Sequence, residues 1–316
     1  MKTLVILIGL LFLTSCKNHF DKDEIMTNEM FVNHETFELQ GKVKSITEIS
    51  YSVEEKFGKI VKGKKARDYN RKAHEVKVSF DENQNIVEIK VFDTADNYLG
   101  EISYEYINNK KSEENHFDTN DNLTYKKIWK FDKKENITEL AEYKSNGNLI
   151  SKTNYLYNQV GEEKEINTYD SNAKLLSKRI YEYDYGDNFK IVEIKSYDAE
   201  DSLTYKAVTK YDSNDIRIES QSWNQKDDVK KWKYKHDKNG NMVESYREDE
   251  DAKVTWKYDK FGNMTELKNF NPGGSLNIHM ELKYEYDNND NWTKRLKLEN
   301  NIPQYIVERQ IEYYNQ

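Results

Sequence analysis

Between residues 76 and 298, apolar and polar side chains alternate in short runs, each closed by a turn-like stretch. The run "TYKKIWKFD" at 124–132 is typical. Tyr125, Trp129 and Phe131 fall on one face, and Lys126, Ile128 and Lys130 on the other. A period of two built from Tyr, Trp, Thr, Ile and Val is a strand signature. A helix cannot use it, because positions two apart lie on different sides of a 3.6-residue turn. The aromatics that close the runs form a series: Phe80, Phe92, Tyr106, Phe117, Phe131, Tyr143 and onward to Tyr286, spaced mostly by 12 or 14. Two spacings make a unit of about 26 residues, and self-similarity on that scale predicts a repeat architecture.

The turns carry their own chemistry. Asp or Asn commonly follows the aromatic, where its side chain can accept from backbone amides ahead of it. Four residues after the aromatic stands Gly (Gly147, Gly161, Gly240, Gly262, Gly274) or Asp (Asp96, Asp121, Asp187, Asp201, Asp215, Asp227, Asp290). Both residue types tolerate the positive φ that a tight hairpin with a bulge requires. The expectation is an all-β chain, a long antiparallel meander of about 18–20 strands built from these repeats. Laid flat at about 4.8 Å per strand, it would be on the order of 90 Å wide. Twisted open sheets rarely exceed about ten strands without curling or splitting. A rolled, spiral or barrel-like sheet over residues 39–316 is therefore expected, and not a plane.

"KYDKFGNMTEL", "KHDKNGNMVES" and "YEYDNNDNWTKR" resemble the YD repeats of the Rhs family, whose pattern runs Tyr-Asp-x-x-Gly-Asn-hydrophobic. The resemblance covers most of residues 76–298. It implies a spiralling β-sheet, which in large members encloses a C-terminal toxin, while short members are often described as sugar-binding. The chain ends at Gln316 soon after the repeats and shows no Asp-Pro-x-Gly cleavage signature. The shape is expected to transfer, and toxin delivery is not.

The N-terminus changes the picture of where the sheet works. "MKTLVILIGLLFLTSC" has an early Lys, an apolar run from Leu4 to Leu13, and then Thr14-Ser15-Cys16. The run falls short of the roughly 18 residues a membrane-spanning helix needs and has the layout of a secretory signal. Leu-Thr-Ser-Cys resembles the lipobox of bacterial lipoproteins, which implies cleavage before Cys16 and lipidation of its sulfur. Cys16 is the only cysteine, so an internal disulfide is ruled out, and lipidation gives the thiol a purpose. Residues 1–15 are thus a signal peptide, and residues 16–38, which lack the alternation, are a tether. Lys17 after the cysteine implies an outer-membrane destination, with the direction the body faces left open.

The net charge of −8 is finely interleaved and without basic blocks, which argues against nucleic acid as a partner. A Glu column (88, 114, 139, 165, 193, 219, 244, 266) and a Lys column (126, 152, 178, 206, 231, 253) recur with the repeat. Counted from the closing aromatics they have opposite parity, which predicts opposite faces and no simple Lys–Glu ladder. The same count puts Trp129, Trp223, Trp232, Trp256 and Trp292 on one face with the tyrosines. That face is either the packed side of the sheet or an aromatic platform for sugar rings. Trp223, Trp232, Trp256, Trp292, Glu244 and Glu266 are the candidate ligand-binding residues. His residues are dispersed, and no metal, nucleophile or phosphate-loop motif is present, so no metal, cofactor or catalytic set is expected. The expectation is a lipid-anchored envelope protein, not an enzyme, whose sheet binds a glycan or another envelope protein. Alternatives are a carboxylate-dependent hydrolase in the sheet interior, or an accessory of an Rhs-type export system.

Overall fold

The computed structural model describes residues 39–66, 74–224 and 229–315. Cys16 and the tether lie outside the described residues, as does Asp227. Every element is a strand: β1 (Val43–Lys56), β2 (Lys59–Lys65), β3 (Glu75–Phe80), β4 (Ile86–Phe92), β5 (Tyr98–Ile107), β6 (Lys110–Phe117) and β7 (Leu123–Phe131). These are followed by β8 (Ile137–Lys144), β9 (Leu149–Tyr157), β10 (Glu163–Asp170), β11 (Leu175–Tyr185), β12 (Phe189–Asp198), β13 (Leu203–Asp212) and β14 (Arg217–Asn224). The last are β15 (Val229–His236), β16 (Met242–Arg247), β17 (Ala252–Tyr258), β18 (Met264–Phe270), β19 (Leu276–Tyr286), β20 (Trp292–Glu299) and β21 (Ile302–Tyr313).

The antiparallel meander is as expected, but it does not stay open or spiral. β21 returns to pair with β1, Val43↔Tyr313 through Ser52↔Tyr305. On its other edge β1 pairs with β3, Ser45↔Ser79 through Ile49↔Glu75. β1 and β3 to β21 therefore form a closed barrel of twenty strands. β2 stands apart from this ring, pairing with the C-terminal half of β1. Closure removes the two long edges that an open sheet of this width would expose to other chains.

The turns are built as their residue types require. Asp259 Oδ1 accepts the N–H groups of Phe261 (2.8 Å) and Asn263 (3.0 Å). Gly262 N–H donates to the Asp259 carbonyl, and Asp259 N–H to that of Asn263. Gly262 sits at φ +88°, and the Asp of other units takes the same place, as Asp290 does at +64°. Gln84, Glu135 and Ala173 are also held at positive φ, against their own preference, while Asp187 is not. The bulge that follows has a larger consequence. At most turns the register slips by one residue beside the closing aromatic, as between Lys130 and Phe131 or between Glu142 and Tyr143. That slip flips the phase, so residues an even number apart on consecutive strands face opposite ways.

Two observations decide which face is inside. Ile46, Val78, Ile89 and Ile102 are successive cross-strand partners and are at most 3% exposed. Chirality gives the same answer. Ser50 N–H donates to the His74 carbonyl, so with β1 upright and the Ser50 side chain towards the viewer, β3 lies to the right. One circuit of the ladder from Ile46 climbs past the C-terminal end of β1. Where strands coil right-handed, that climb requires the strand order to run leftwards as seen from outside. The Ile46 and Ser50 side chains thus face the lumen. Twenty tilted strands make a wall on the order of 35–40 Å across between backbones, far wider than side chains can fill. The dry core is local to the seam, where Val43, Ile46, Val76, Val78, Phe80, Ile89 and Val91 pack together.

Candidate functional site

The inner wall away from the seam is aromatic and cationic. Trp129, paired with Leu140, and Trp256, paired with Leu267, face the lumen. Trp232 pairs with Arg247 across β15 and β16, the guanidinium 5.7 Å from the ring. Trp292 is sandwiched, with Arg309 at 3.5 Å and Arg295 at 5.1 Å from its ring centre, and Tyr284 beside it at 6.0 Å. Among the described residues, the buried Arg295 Nε has no hydrogen-bond partner. Arg309 also donates to Glu48, which is 2% exposed. Further round, Arg179 pairs with Ser196, and Tyr181 with Ile194.

The outer wall carries a different chemistry. Lys126–Glu113 (2.6 Å), Lys130–Glu139 (2.7 Å), Lys195–Glu193 (2.7 Å) and Lys206–Glu193 (3.1 Å) bridge neighbouring positions. Lys152 reaches Glu139 at 3.5 Å. The two columns therefore share the outer face, against the parity count, and meet each other at Lys152–Glu139 and Lys206–Glu193. Only Glu114 of the Glu column turns inwards. The count failed because it carried one phase across bulges that each reverse it. The same reversal splits the tryptophans. Trp223 pairs with Lys206 on the outside, its ring 5.5 Å from the ammonium, while the other four face the lumen.

The six candidate ligand-binding residues consequently do not form one site. Trp232, Trp256 and Trp292 line the lumen; Trp223, Glu244 and Glu266 are outside. Glu244 is paired with Lys235 at 2.8 Å. Glu266 lies within 3.2 Å of Lys257, Lys268 and His279, and the Lys257 hydrogen bond leads in holding its carboxyl at about 2.

Two inward carboxylates, Glu114 of the Glu column and Glu163, are not among the candidate ligand-binding residues. Glu114 is 7% exposed, bonded to His116 at 2.7 Å and close to Lys127 at 3.0 Å. Burial pushes its carboxyl up, but His116, Lys127 and Lys111 outweigh that and hold it at about 2. Glu163 behaves oppositely. Burial raises its carboxyl above the usual range, against the Tyr181 hydrogen bond and the Arg179 charge. Glu163 sits at the start of β10 beside a turn, where the repeat gives no column to mark it.

No family model matches the sequence, and no curated protein matches it. Among solved structures, the chain is similar to a porin-like protein from Bacteroides uniformis ATCC 8492, at 11% identity and a TM-score of 0.32, covering 86% of this chain and 98% of that one. A porin-like protein from Bacteroides vulgatus ATCC 8482 aligns at 12% identity and a TM-score of 0.29, over 87% and 99% of the two chains. A chain of the TcdB2-TccC3-Cdc42 structure aligns at 12% and 0.30, over 89% of this chain but only 18% of that one. Likenesses this loose settle neither topology nor function for this chain.

Proposed function

We propose that the protein is a lipid-anchored component of the bacterial envelope whose barrel binds an extended acidic glycan along its inner wall, without catalysing a reaction. The observation that carries this is the set of guanidinium groups beside lumen tryptophans: Arg309 stacked on Trp292 with Arg295 nearby, and Arg247, which also pairs with Asp249 and Glu250, near Trp232. Trp292 is buried between its two arginines, so the half-buried indoles of Trp129, Trp232 and Trp256 are the faces that suit sugar rings, and Arg recognises carboxylates in a planar, bidentate way. The outer wall suits water, not lipid. A lipid-facing barrel needs an apolar band about 25 Å tall, and each Lys at its midplane costs about 2–4 kcal/mol. Here ion pairs recur along the wall from β3 to β21. Membrane attachment accordingly falls to Cys16, and the YD-repeat resemblance enters as kinship of the turn chemistry.

Titrating the protein with neutral and uronic-acid oligosaccharides while following tryptophan fluorescence tests the binding claim. Acidic oligosaccharides are expected to perturb the emission, with affinity lost in Arg247→Ala and Trp232→Ala and weakened by salt. Equal binding by the neutral sugars, or no change in those variants, contradicts it. Replacing Cys16 with Ser should move the protein from the membrane to the soluble fraction. A second reading, a hydrolase, draws on Glu163, whose raised carboxyl is what a general acid needs. Glycan cleavage abolished by Glu163→Gln would establish that reading in place of the first.

A further inference from the structure

The edge of β1 that faces β3 is shared by two partners. Residues 45–49 pair with β3 and residues 51–56 with β2. Ser50 stands at the fork, its N–H donating to His74 and its carbonyl accepting from Ala66. At this junction the start of β3, the end of β2 and the β4–β5 turn converge. They bring four groups: Glu75 from the start of β3 and His74 just before it, Lys65 from β2, and Asp96 from the turn.

His74 has no side-chain exposure, and among the described residues neither ring nitrogen has a hydrogen-bond partner. A buried imidazole without a partner is costly, since desolvation is not repaid by a bond. Its Nε2 points into a pair of carboxylates, 3.5 Å from Asp96 Oδ1 and 4.0 Å from Glu75 Oε2. The three ligand atoms all lie within 4.8 Å of one another. Around a divalent ion with bonds of about 2.0–2.2 Å, such atoms lie roughly 3–4.2 Å apart, so the triad needs a contraction of less than about 1 Å. A cation already occupies the negative side of the cluster. The Lys65 ammonium contacts Asp96 and lies 3.4 Å from Glu75. That ammonium satisfies the carboxylates and leaves the imidazole unmet, whereas a metal ion satisfies all three.

We propose that His74, Glu75 and Asp96 form a binding site for a divalent transition-metal ion, zinc or manganese, which displaces the Lys65 ammonium and ties the start of β3 to the β4–β5 turn. One imidazole and two carboxylates suit these ions, and open positions complete the shell with water. Lys65 is the competitor. Its side chain is 31% exposed on a flexible four-carbon stem, so it can swing to solvent when the ion enters. No sequence motif announces the site, because its members come from a strand start and a turn about twenty residues apart, brought together only by the split edge of β1.

The test is isothermal titration of the full-length, detergent-solubilised protein with zinc chloride and with manganese chloride, alongside melting curves. The wild type is expected to take up one equivalent of at least one of the two ions, with the melting temperature rising by several degrees. His74→Gln and Asp96→Asn should each weaken binding at least tenfold, while His279→Gln should leave it unchanged. Lys65→Met removes the competing charge and should tighten binding about tenfold, an effect that a scattered surface affinity would not show. Because Lys65→Met keeps every ligand, it stands even where His74→Gln fails to fold. Binding indifferent to His74 and Asp96, or absent from wild type and Lys65→Met alike, overturns the site. The sugar titration is independent of either result.

Discussion

At the scale of single residues, the turns were the most legible part of the chain. The Asp that commonly follows a closing aromatic accepts two backbone N–H groups, and the Gly or Asp three residues later usually takes the left-handed corner. The two roles of glycine separate in a mutation pair. Gly147 lies at φ +80° with open space where a Cβ would stand, so Gly147→Ala should cost only the backbone term, about 1 kcal/mol. At Gly100 a Cβ would meet the Phe117 carbonyl oxygen at 2.6 Å, and the backbone cannot yield cheaply. Gly100→Ala should cost clearly more, about 2–4 kcal/mol by urea unfolding. Equal costs would show that the close strand approach at Gly100 is wrong. Tyrosine hydroxyls were harder to foresee. Tyr157, Tyr183 and Tyr284 each donate to a carbonyl twenty residues upstream, on the strand after the neighbouring turn at the same rim. The period of 26 announced their recurrence but not their partner.

Glu114 yields a pH prediction. Its folded carboxyl titrates at about 2 against an ordinary 4.5, so the folded state binds the proton less readily than the unfolded chain does. The resulting stability is present above about pH 4.5 and is lost as pH falls through the window down to about 2. Its full size is on the order of 3 kcal/mol. Glu114→Gln should lower stability at pH 7 and flatten the acid limb of the stability curve between those pH values. An unchanged acid limb would mean that His116, Lys127 and Lys111 do not hold this carboxylate.

At the scale of strands, element number and type were readable because alternation and turns agreed along the whole sheet. The assignment of faces was not readable. Parity counted along the sequence assumes an even hairpin, and one bulged residue per turn reverses it. Successive closing aromatics therefore alternate, Tyr143 and Tyr169 outwards, Phe131 and Tyr157 inwards. That is why the repeating unit is two strands long. The bulge also places the Lys and Glu columns together, where they support a wall that has little dry core beneath it. Lys152→Glu should bring a like charge near Glu139 and cost about 0.5–1 kcal/mol at low salt. Repeating the unfolding in 1 M salt should erase most of that difference. A salt-independent cost would point to packing rather than charge.

At the scale of the whole molecule, the strand count alone argued against a flat sheet, but closure could not be read from composition. Closure depends on one long-range pairing, between the first and last strands, and neither carries a signature of the other. Val43, Ile46, Ile306 and Val307 are each at most 2% exposed, so the seam is where the chain concentrates its apolar side chains. The repeats between carry the Lys and Glu columns on one side and four of the five tryptophans on the other, and the ring makes those two sides an outer wall and a lumen. The proposed ligand binding by the inner wall depends on that ring being closed. The most direct test is a disulfide across it, in a Cys16→Ser background. Ser50 and Val307 are cross-strand partners on the lumen side of β1 and β21. Opposed strand residues lie within the Cα separation of about 4.4–6.8 Å that a disulfide needs. Under mild oxidation Ser50→Cys/Val307→Cys should form an intramolecular disulfide in high yield, and Ser50→Cys/Ile306→Cys, with the second thiol on the opposite face, should not. Absence of the first cross-link, or equal yields from both pairs, would contradict a closed barrel in this register.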